Sequence, residues 1–217
     1  MTMVRFPTAD GLELEGELRT ADGVPRGTAV LCHAHPRHGG SKDHPVLWAI
    51  RNDLAAKRGR TVLAFNFRGI MGSEGTYGGG EAELADAAAA VDRVRQEAPG
   101  PTVMAGWSFG AWVAFRHAVS DRRVPALVLL GIPLGEFRSD RRPLPSLAEL
   151  EELPIPVLLV AGDQDPYCPA RDLRNLAGWI PRGEVLMVPG ADHFFGRRER
   201  EVAELIGNWV DSAAQIS

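Results

Sequence analysis

The chain has 217 residues with 24 Lys or Arg and 28 Asp or Glu, and its formal net charge at pH 7 is −4. A mildly acidic chain without a segregated basic stripe excludes nucleic acid as an expected partner. The composition, 45% hydrophobic and 24% charged, is that of a globular protein, and the length predicts one domain spanning residues 1–217.

The sequence also predicts the location of the protein in the cell. The longest apolar run, residues 126–134, is far shorter than the roughly 18 residues that a membrane-spanning helix requires. The first ten residues lack the charged and apolar pattern of a signal peptide. We therefore expect a cytoplasmic protein that does not bind membranes, in which Cys32 and Cys168 are two buried thiols.

The chain predicts strands that alternate with helices. Residues 4–7 and 12–19 flank the turn dipeptide Asp10-Gly11, and residues 12–15 alternate with period two, which predicts an antiparallel hairpin at one edge of a sheet. Nearly continuous apolar or β-branched runs predict six buried parallel strands at residues 28–33, 61–67, 102–107, 126–132, 156–162 and 184–188. Helix-forming stretches lie between them at residues 45–57, 81–97, 109–119, 170–176 and 194–210. This alternation favours a mostly parallel sheet covered on both faces.

A Gly-x-Ser-x-Gly motif at residues 106–110 follows the third of these parallel strands and opens a predicted helix. Glycines are needed around such a serine because the strand-to-helix turn is strained and leaves no room for larger side chains. The helix amino terminus also favours negative charge that forms beside the serine. The motif therefore predicts that Ser108 is a catalytic nucleophile.

A serine nucleophile requires a base and an acid that orients the base, in the chain order Ser, Asp or Glu, His. His193 is the only histidine that follows the acidic candidates, and it lies in a loop after the last predicted strand. Asp163 and Asp165 both follow the strand at 156–162. We favour Asp165 because it lies further into the loop, whereas Asp163 is suited to a turn or a helix cap. Asp192 is interpreted as a cap for the final helix.

The loop after the first parallel strand supplies the second backbone N–H of an oxyanion hole in enzymes of this architecture. We assign the two N–H groups to Phe109 and His35, and we interpret His33 and His38 as hydrogen-bonding braces of the loop. The run His33-x-His35-x-x-His38 also resembles the zinc ligands of the metallo-β-lactamase fold. Arg37 argues against a metal because it stands where that family has an acidic ligand. We predict no metal and no cofactor.

Four motifs together resemble those of small bacterial α/β-hydrolases of the serine type, over nearly the whole chain. They are His-Ala-His-Pro at 33–36 with Gly-Gly at 39–40, Ala-Phe-Asn-Phe-Arg-Gly-Ile-Met-Gly-Ser-Glu-Gly at 64–75, Gly-Glu at 80–81 and Gly-Trp-Ser-Phe-Gly at 106–110. Ala34 replaces a proline of that subgroup and Met71 replaces a glycine. The catalytic core also resembles those of dienelactone hydrolases and of prolyl-oligopeptidase-type peptidases.

The resemblance implies the α/β-hydrolase fold, with a mostly parallel central sheet of about eight strands, helices on both faces and a minimal lid. It implies hydrolase activity and supports Ser108, Asp165 and His193 as the triad. The expected reaction is cleavage of a carboxylic ester of a small molecule through an acyl-enzyme intermediate. Peptidase or thioesterase action and a non-catalytic ligand-binding protein are the alternatives. The sequence leaves open the natural substrate and whether the chain forms a homo-oligomer.

Residues 134–153 fit neither a strand nor a covering helix, and we interpret them as a short lid or excursion. The segment is too polar to cover a long acyl chain, and its prolines prevent one long amphipathic helix. The residues concerned are Arg138, Asp140, Arg141, Arg142, Pro143, Pro145, Glu149, Glu151 and Glu152. The sequence therefore predicts an open cleft that prefers short acyl groups.

Overall fold

The computed structural model describes residues 1–135 and 143–213. Within these ranges the chain forms one eight-stranded sheet with the order β1-β2-β4-β3-β5-β6-β7-β8. The strands are β1 (Thr2–Pro7), β2 (Glu13–Arg19), β3 (Gly27–Cys32), β4 (Arg60–Phe65), β5 (Thr102–Trp107), β6 (Ala126–Leu130), β7 (Val157–Gly162) and β8 (Gly183–Val188). The helices are α1 (Pro45–Lys57), α2 (Glu83–Arg95), α3 (Phe109–Ser120), α4 (Leu147–Glu151), α5 (Ala170–Gly178) and α6 (Glu199–Ala213). The predicted α/β-hydrolase fold, with a mostly parallel sheet and helices on both faces, is confirmed.

The predicted hairpin forms the edge of the sheet. Strands β1 and β2 pair in antiparallel fashion, and β2 pairs antiparallel with β4. Strands β3 to β8 pair with one another in parallel fashion. Strands β3 to β7 are buried along their whole length, as their continuous apolar runs predict.

Two apolar clusters lie on opposite faces of this sheet. On one face, α2, α3 and α5 cover residues such as Val30, Met104 and Leu129. On the other face, α1 and α6 cover residues such as Leu31 and Val128. Successive residues of each strand thus enter different clusters, because side chains alternate between the two faces of a sheet. Among the described helices none is both long and apolar enough to cross a bilayer.

The final helix begins later than the sequence predicts. Helix α6 starts at Glu199, not at residue 194. Phe195 and Arg197 have positive φ values of 56° and 65°, which a right-handed helix does not allow. The loop before α6 therefore extends by five residues, and Phe194 lies in this loop.

The segment at 134–153 is described only in part. Arg138, Asp140, Arg141 and Arg142 lie outside the described residues. Helix α4 follows Pro143 and Pro145 and begins with a capping box between Ser146 and Glu149. Leu150 and Leu153 are each 1% exposed and join the cluster on the α3 face. This described half of the segment is therefore packed against the core.

Candidate active site

Ser108 lies on a sharp turn between β5 and α3, with φ 56° and ψ −117°. A Cβ atom added at Gly106 would collide with the carbonyl oxygen of Gly110, and one at Gly110 would collide with that of Cys32. Both glycines of the motif are therefore required for close backbone approach. The strained turn presents Ser108 at the carboxyl edge of the parallel strands and at the amino terminus of α3.

The structure brings Ser108, His193 and Asp165 together. Nε2 of His193 lies 3.0 Å from Oγ of Ser108, and Nδ1 of His193 lies 2.8 Å from Oδ2 of Asp165. All three side chains are buried. Oδ1 of Asp165 accepts hydrogen bonds from the backbone N–H groups of Tyr167 at 2.8 Å and Cys168 at 3.2 Å. These bonds fix the carboxylate, so that its second oxygen is directed at the imidazole.

The other two candidate acids have different partners. Oδ1 of Asp163 accepts a hydrogen bond of 2.7 Å from the backbone N–H of Gly190, which ties the β7 loop to the loop that carries His193. Oδ1 of Asp192 accepts from the backbone N–H of Phe194 at 3.0 Å. Asp192 was expected to cap the final helix, and this expectation is wrong because α6 begins seven residues later. Asp192 instead closes a local turn beside His193.

Gly131 is a site residue that the sequence analysis missed. It follows β6 with φ 54°, and a Cβ atom there would lie 3.3 Å from Oδ2 of Asp165 and 3.3 Å from Nδ1 of His193. A side chain at this position would crowd the hydrogen bond between the acid and the base. The sequence analysis placed Gly131 inside the strand predicted at 126–132, whereas β6 ends at Leu130, so no signal marked this glycine as part of the site.

Phe109 and His35 lie next to each other beside Ser108. Phe109 is the first residue of α3, and its ring centroid lies 5.1 Å from that of His35. Nδ1 of His35 accepts a hydrogen bond from the backbone N–H of Arg37 at 3.1 Å, so Nδ1 carries no proton. Nε2 of His35 therefore donates to the hydroxyl oxygen of Tyr77 at 3.2 Å. The loop after β3 is thus held beside the first turn of α3.

His33 is a buried brace, as its interpretation in the sequence analysis requires. Its Nε2 accepts a hydrogen bond from the backbone N–H of Phe67 at 3.0 Å, and its Nδ1 donates to the carbonyl oxygen of Ala34 at 2.6 Å. Burial lowers the pKa of the imidazole to about 4. One ring nitrogen of His33 would have to exchange its hydrogen bond for the metal before a zinc site could form. Among the described residues, no three His, Cys, Asp or Glu side chains are grouped to hold a metal ion.

Both cysteines are buried free thiols. Burial raises the pKa of Cys32 and of Cys168 far above the ordinary value. Neither side chain is a nucleophile at neutral pH, because the thiolate is the reactive form. Ser108 is therefore the candidate nucleophile of this site.

Several aromatic side chains surround His193. Ring centroids of Tyr167, Phe194 and Trp107 lie 4.8, 5.6 and 5.9 Å from that of His193. The ring of His44 lies 3.9 Å from that of Trp107. Trp107 adjoins Ser108 in the sequence, whereas His44, Tyr167 and Phe194 are brought to the site by three separate loops.

Comparison with known proteins places this geometry in a family. A model of the alpha/beta hydrolase domain matches residues 27–217. The structure of an alpha-beta serine hydrolase homologue from Coxiella burnetii superposes with a TM-score of 0.84 at 27% identity, covering 96% of this chain and 97% of that one.

Two further structures share the fold. A Xanthomonas campestris protein described as a serine hydrolase without a lid has a TM-score of 0.81 at 24% identity, covering 97% of this chain and 94% of that one. An esterase from Pyrococcus furiosus has a TM-score of 0.79 at 20% identity, covering 98% of this chain and 92% of that one. The fold and the serine-centred site define the class, and the family model assigns the chain. This chain belongs to the alpha/beta hydrolase family.

Proposed function

We propose that the protein is a serine hydrolase that cleaves a carboxylic ester of a small substrate through an acyl-enzyme intermediate. The observation that carries this proposal is the continuous hydrogen-bonded series from Oγ of Ser108 through the imidazole of His193 to the carboxylate of Asp165. In this series the Asp165 carboxylate accepts from Nδ1–H, which leaves Nε2 as the base that faces the hydroxyl. The arrangement requires no cofactor or metal.

The proposed acylation step begins when Oγ of Ser108 attacks the ester carbonyl and His193 removes the hydroxyl proton. The backbone N–H groups of Phe109 and His35 donate to the oxyanion of the tetrahedral intermediate. The bond between the carbonyl carbon and the alcohol oxygen then breaks, and Nε2 of His193 returns the proton to the departing alcohol. In deacylation, His193 activates water, which attacks the acyl-serine and releases the carboxylic acid.

Phe109 and His35 are suited to the proposed oxyanion role by position. The N–H of Phe109 belongs to the first turn of α3, where the helix dipole favours negative charge. His35 is the N-cap of a 3₁₀ turn at Pro36–His38, and its ring contacts that of Phe109. The Tyr77 hydroxyl and the backbone N–H of Arg37 together fix the imidazole of His35, which keeps the loop from rotating away.

Similarity to other proteins supports an ester as the substrate class. The Pyrococcus neighbour is an esterase, and the Xanthomonas neighbour is described as lacking a lid. In this chain the described half of the 134–153 segment packs on the core, where the indole N–H of Trp112 donates to the carbonyl oxygen of Pro143 at 2.9 Å. A substrate in an open cleft is expected to be small, because only a cleft that closes around a long chain can bury it.

The proposal is tested by labelling and turnover on the same preparations. A fluorophosphonate probe should label the native protein at Ser108, and phenyl acetate should be hydrolysed with a burst that reports the acyl-enzyme. Ser108→Ala should abolish both. Labelling that persists in Ser108→Ala, or faster turnover of peptide amides than of esters by the native protein, would contradict the proposed function.

A further inference from the structure

Two exposed aromatic side chains flank the imidazole of His193. Phe194 is 54% exposed and Tyr167 is 40% exposed, and their ring centroids lie 5.6 Å and 4.8 Å from that of His193. A single exposed aromatic residue on a protein surface requires no explanation. Two of them beside the proposed catalytic base give an apolar wall next to the position where a substrate must bind.

Phe194 is held in its exposed position by the surrounding backbone. The next residue, Phe195, is 0% exposed and anchors the loop in the core between α1 and α6. Asp192 accepts a hydrogen bond from the backbone N–H of Phe194, and the indole N–H of Trp107 donates to the carbonyl oxygen of His193. A side chain carried by such a fixed backbone loses less conformational entropy on binding a ligand than one carried by a mobile loop.

His44 adds a hydrogen-bond donor to this wall. Its ring lies 3.9 Å from the ring of Trp107 and 6.5 Å from that of Phe194. His44 is the N-cap of α1, and its Nδ1 accepts from the backbone N–H of Val46 at 3.4 Å. Burial lowers the pKa of His44, so the ring is neutral at pH 7 and its proton is on Nε2. Within the described ranges, no side chain or backbone group accepts a hydrogen bond from this Nε2–H.

These residues lie on the leaving-group side of the site. The departing oxygen receives its proton from Nε2 of His193, so the leaving alcohol binds against the imidazole. The ester carbonyl oxygen instead faces the N–H groups of Phe109 and His35. The Phe109 ring packs in the α3-face cluster, whereas the Trp107 ring packs in the cluster under α1 and α6. Phe109 and Trp107 thus belong to clusters on opposite faces of the sheet, and the rings of His44 and Phe194 lie beside that of Trp107.

We infer that Phe194, Tyr167 and His44 form a leaving-group subsite, and that this subsite takes the aryl alcohol of a phenolic ester that carries an oxygen acceptor. The inference rests on the proposed function and names its substrate class. The aryl ring packs against Phe194 and Tyr167, and the acceptor on the ring receives a hydrogen bond from Nε2–H of His44. When the acyl–oxygen bond breaks, the electron pair stays on the phenolic oxygen, which takes the Ser108 proton from His193 and leaves as the phenol.

The first test compares two acetate esters whose alcohols have similar acidity. Phenyl acetate presents a flat ring to the subsite, whereas hexafluoroisopropyl acetate does not. Phe194→Ala should lower kcat/KM for phenyl acetate by about tenfold and that for hexafluoroisopropyl acetate by less than about twofold, since only the aryl ester loses ring packing. Trp179→Ala is the matched control, because Trp179 is 48% exposed and follows α5 at the opposite edge of the sheet. It should change neither value.

A second test isolates the donor of His44. His44→Phe keeps a ring over Trp107 and removes both the Nε2–H group and the Nδ1 acceptor that caps α1, and the loss of the cap is common to all esters. It should lower kcat/KM by about fivefold for at least one of the ortho, meta and para isomers of acetylphenyl acetate, which carry an acceptor on the ring. Phenyl acetate lacks the acceptor and should be little affected. An equal effect on all these esters would overturn the role assigned to His44.

The step at which a variant acts distinguishes this inference from the proposed function. All of these esters give the same acetyl-enzyme, so a leaving-group subsite affects acylation and leaves the deacylation rate unchanged. If the native protein hydrolyses esters but Phe194→Ala lowers kcat/KM equally for phenyl acetate and hexafluoroisopropyl acetate, the subsite is disproved and the proposed function stands. Absence of both turnover and Ser108 labelling in the native protein would contradict the proposed function, and the inference with it. Selective loss in acylation, with normal labelling of Ser108 in each variant, would support the subsite.

Discussion

The indole Nε1–H of Trp107 donates a hydrogen bond of 3.0 Å to the backbone carbonyl oxygen of His193. The residue directly before the candidate nucleophile thus holds the loop that carries the candidate base. Trp107 is 2% exposed, and its ring packs in the cluster under α1 and α6. The end of β5 and a loop 86 residues further along the chain are therefore fixed relative to each other by a buried side chain.

Trp107→Phe should reduce kcat more than it raises KM. The variant keeps an aromatic ring and leaves the carbonyl oxygen of His193 without its buried donor, which destabilises the fold by about 1–3 kcal/mol. Trp209→Phe is the control, because it also removes an indole hydrogen bond, to Glu184, but far from the site. It should lower stability without changing kcat. Steady-state kinetics and urea unfolding of both variants decide this, and equal kcat values in both would disprove a positioning role for Trp107.

The two carboxylates after β7 should behave differently when each is replaced. Asp165→Asn should lower kcat by roughly 10⁴-fold, because an amide in place of the acid favours the wrong tautomer of His193. Asp163→Asn changes only the bond to the backbone of Gly190 and should lower stability by about 1 kcal/mol, with a small effect on rate. Rates are compared at saturating ester, and circular dichroism checks the fold. If a well-folded Asp163→Asn variant lost its activity, Asp163 and not Asp165 would be the acid that orients His193.

The sequence predicted the sheet because the strands of this fold are buried on both faces. Continuous apolar runs such as β5 and β7 do not fit an amphipathic surface helix, so the sequence alone predicts where these buried strands lie. Helix α1 was predicted over the residues that it occupies, since Pro45 marks its first turn. The carboxyl ends of parallel strands meet at one edge, and this rule alone brings Ser108 and His193 together.

Other site features depend on tertiary contacts that leave no local signal. The predicted start of α6 was wrong. Residues 194–198 contain no proline that would mark a boundary, and the positive φ values of Phe195 and Arg197 are a property of the folded loop. Gly131 is required by the His193–Asp165 pair, which only the folded chain places beside it. His44 was missed for the same reason, since its position over Trp107 depends on how α1 docks on the sheet.

Acid should destabilise the protein through His33. The pKa of His33 is lowered from 6.5 to about 4 in the folded chain, so below pH 6.5 the unfolded chain binds a proton that the folded chain does not. The stabilisation is complete above pH 6.5 and is lost as the pH falls toward 4. We expect a loss of about 2 kcal/mol between pH 7 and pH 4.5 that is absent in His33→Gln.

Urea unfolding of the native protein and of His33→Gln at several pH values measures this difference. Burial also lowers the pKa of His44 and of His117, so the native protein loses further stability with acid in the same direction. Subtracting the stability curve of His33→Gln from that of the native protein gives the contribution of His33 to the pH dependence. Parallel curves for the native protein and His33→Gln would show that His33 is not the titrating group.

The length of the acyl chain should have an optimum at short esters. The described half of the 134–153 segment packs on the core through Leu150 and Leu153, which leaves these side chains unable to line an acyl tunnel. Acyl groups of about two to six carbons should therefore give the highest kcat/KM, whereas a deep apolar pocket would contribute up to about 0.8 kcal/mol of binding free energy for each buried CH₂.

The measurement is kcat/KM along a series of phenyl esters kept below the concentration at which they form micelles. Because the aryl group is constant, the leaving-group subsite contributes equally to every member of the series. A value that continued to rise past about ten carbons would disprove the open cleft and would require an apolar pocket that closes over the acyl chain.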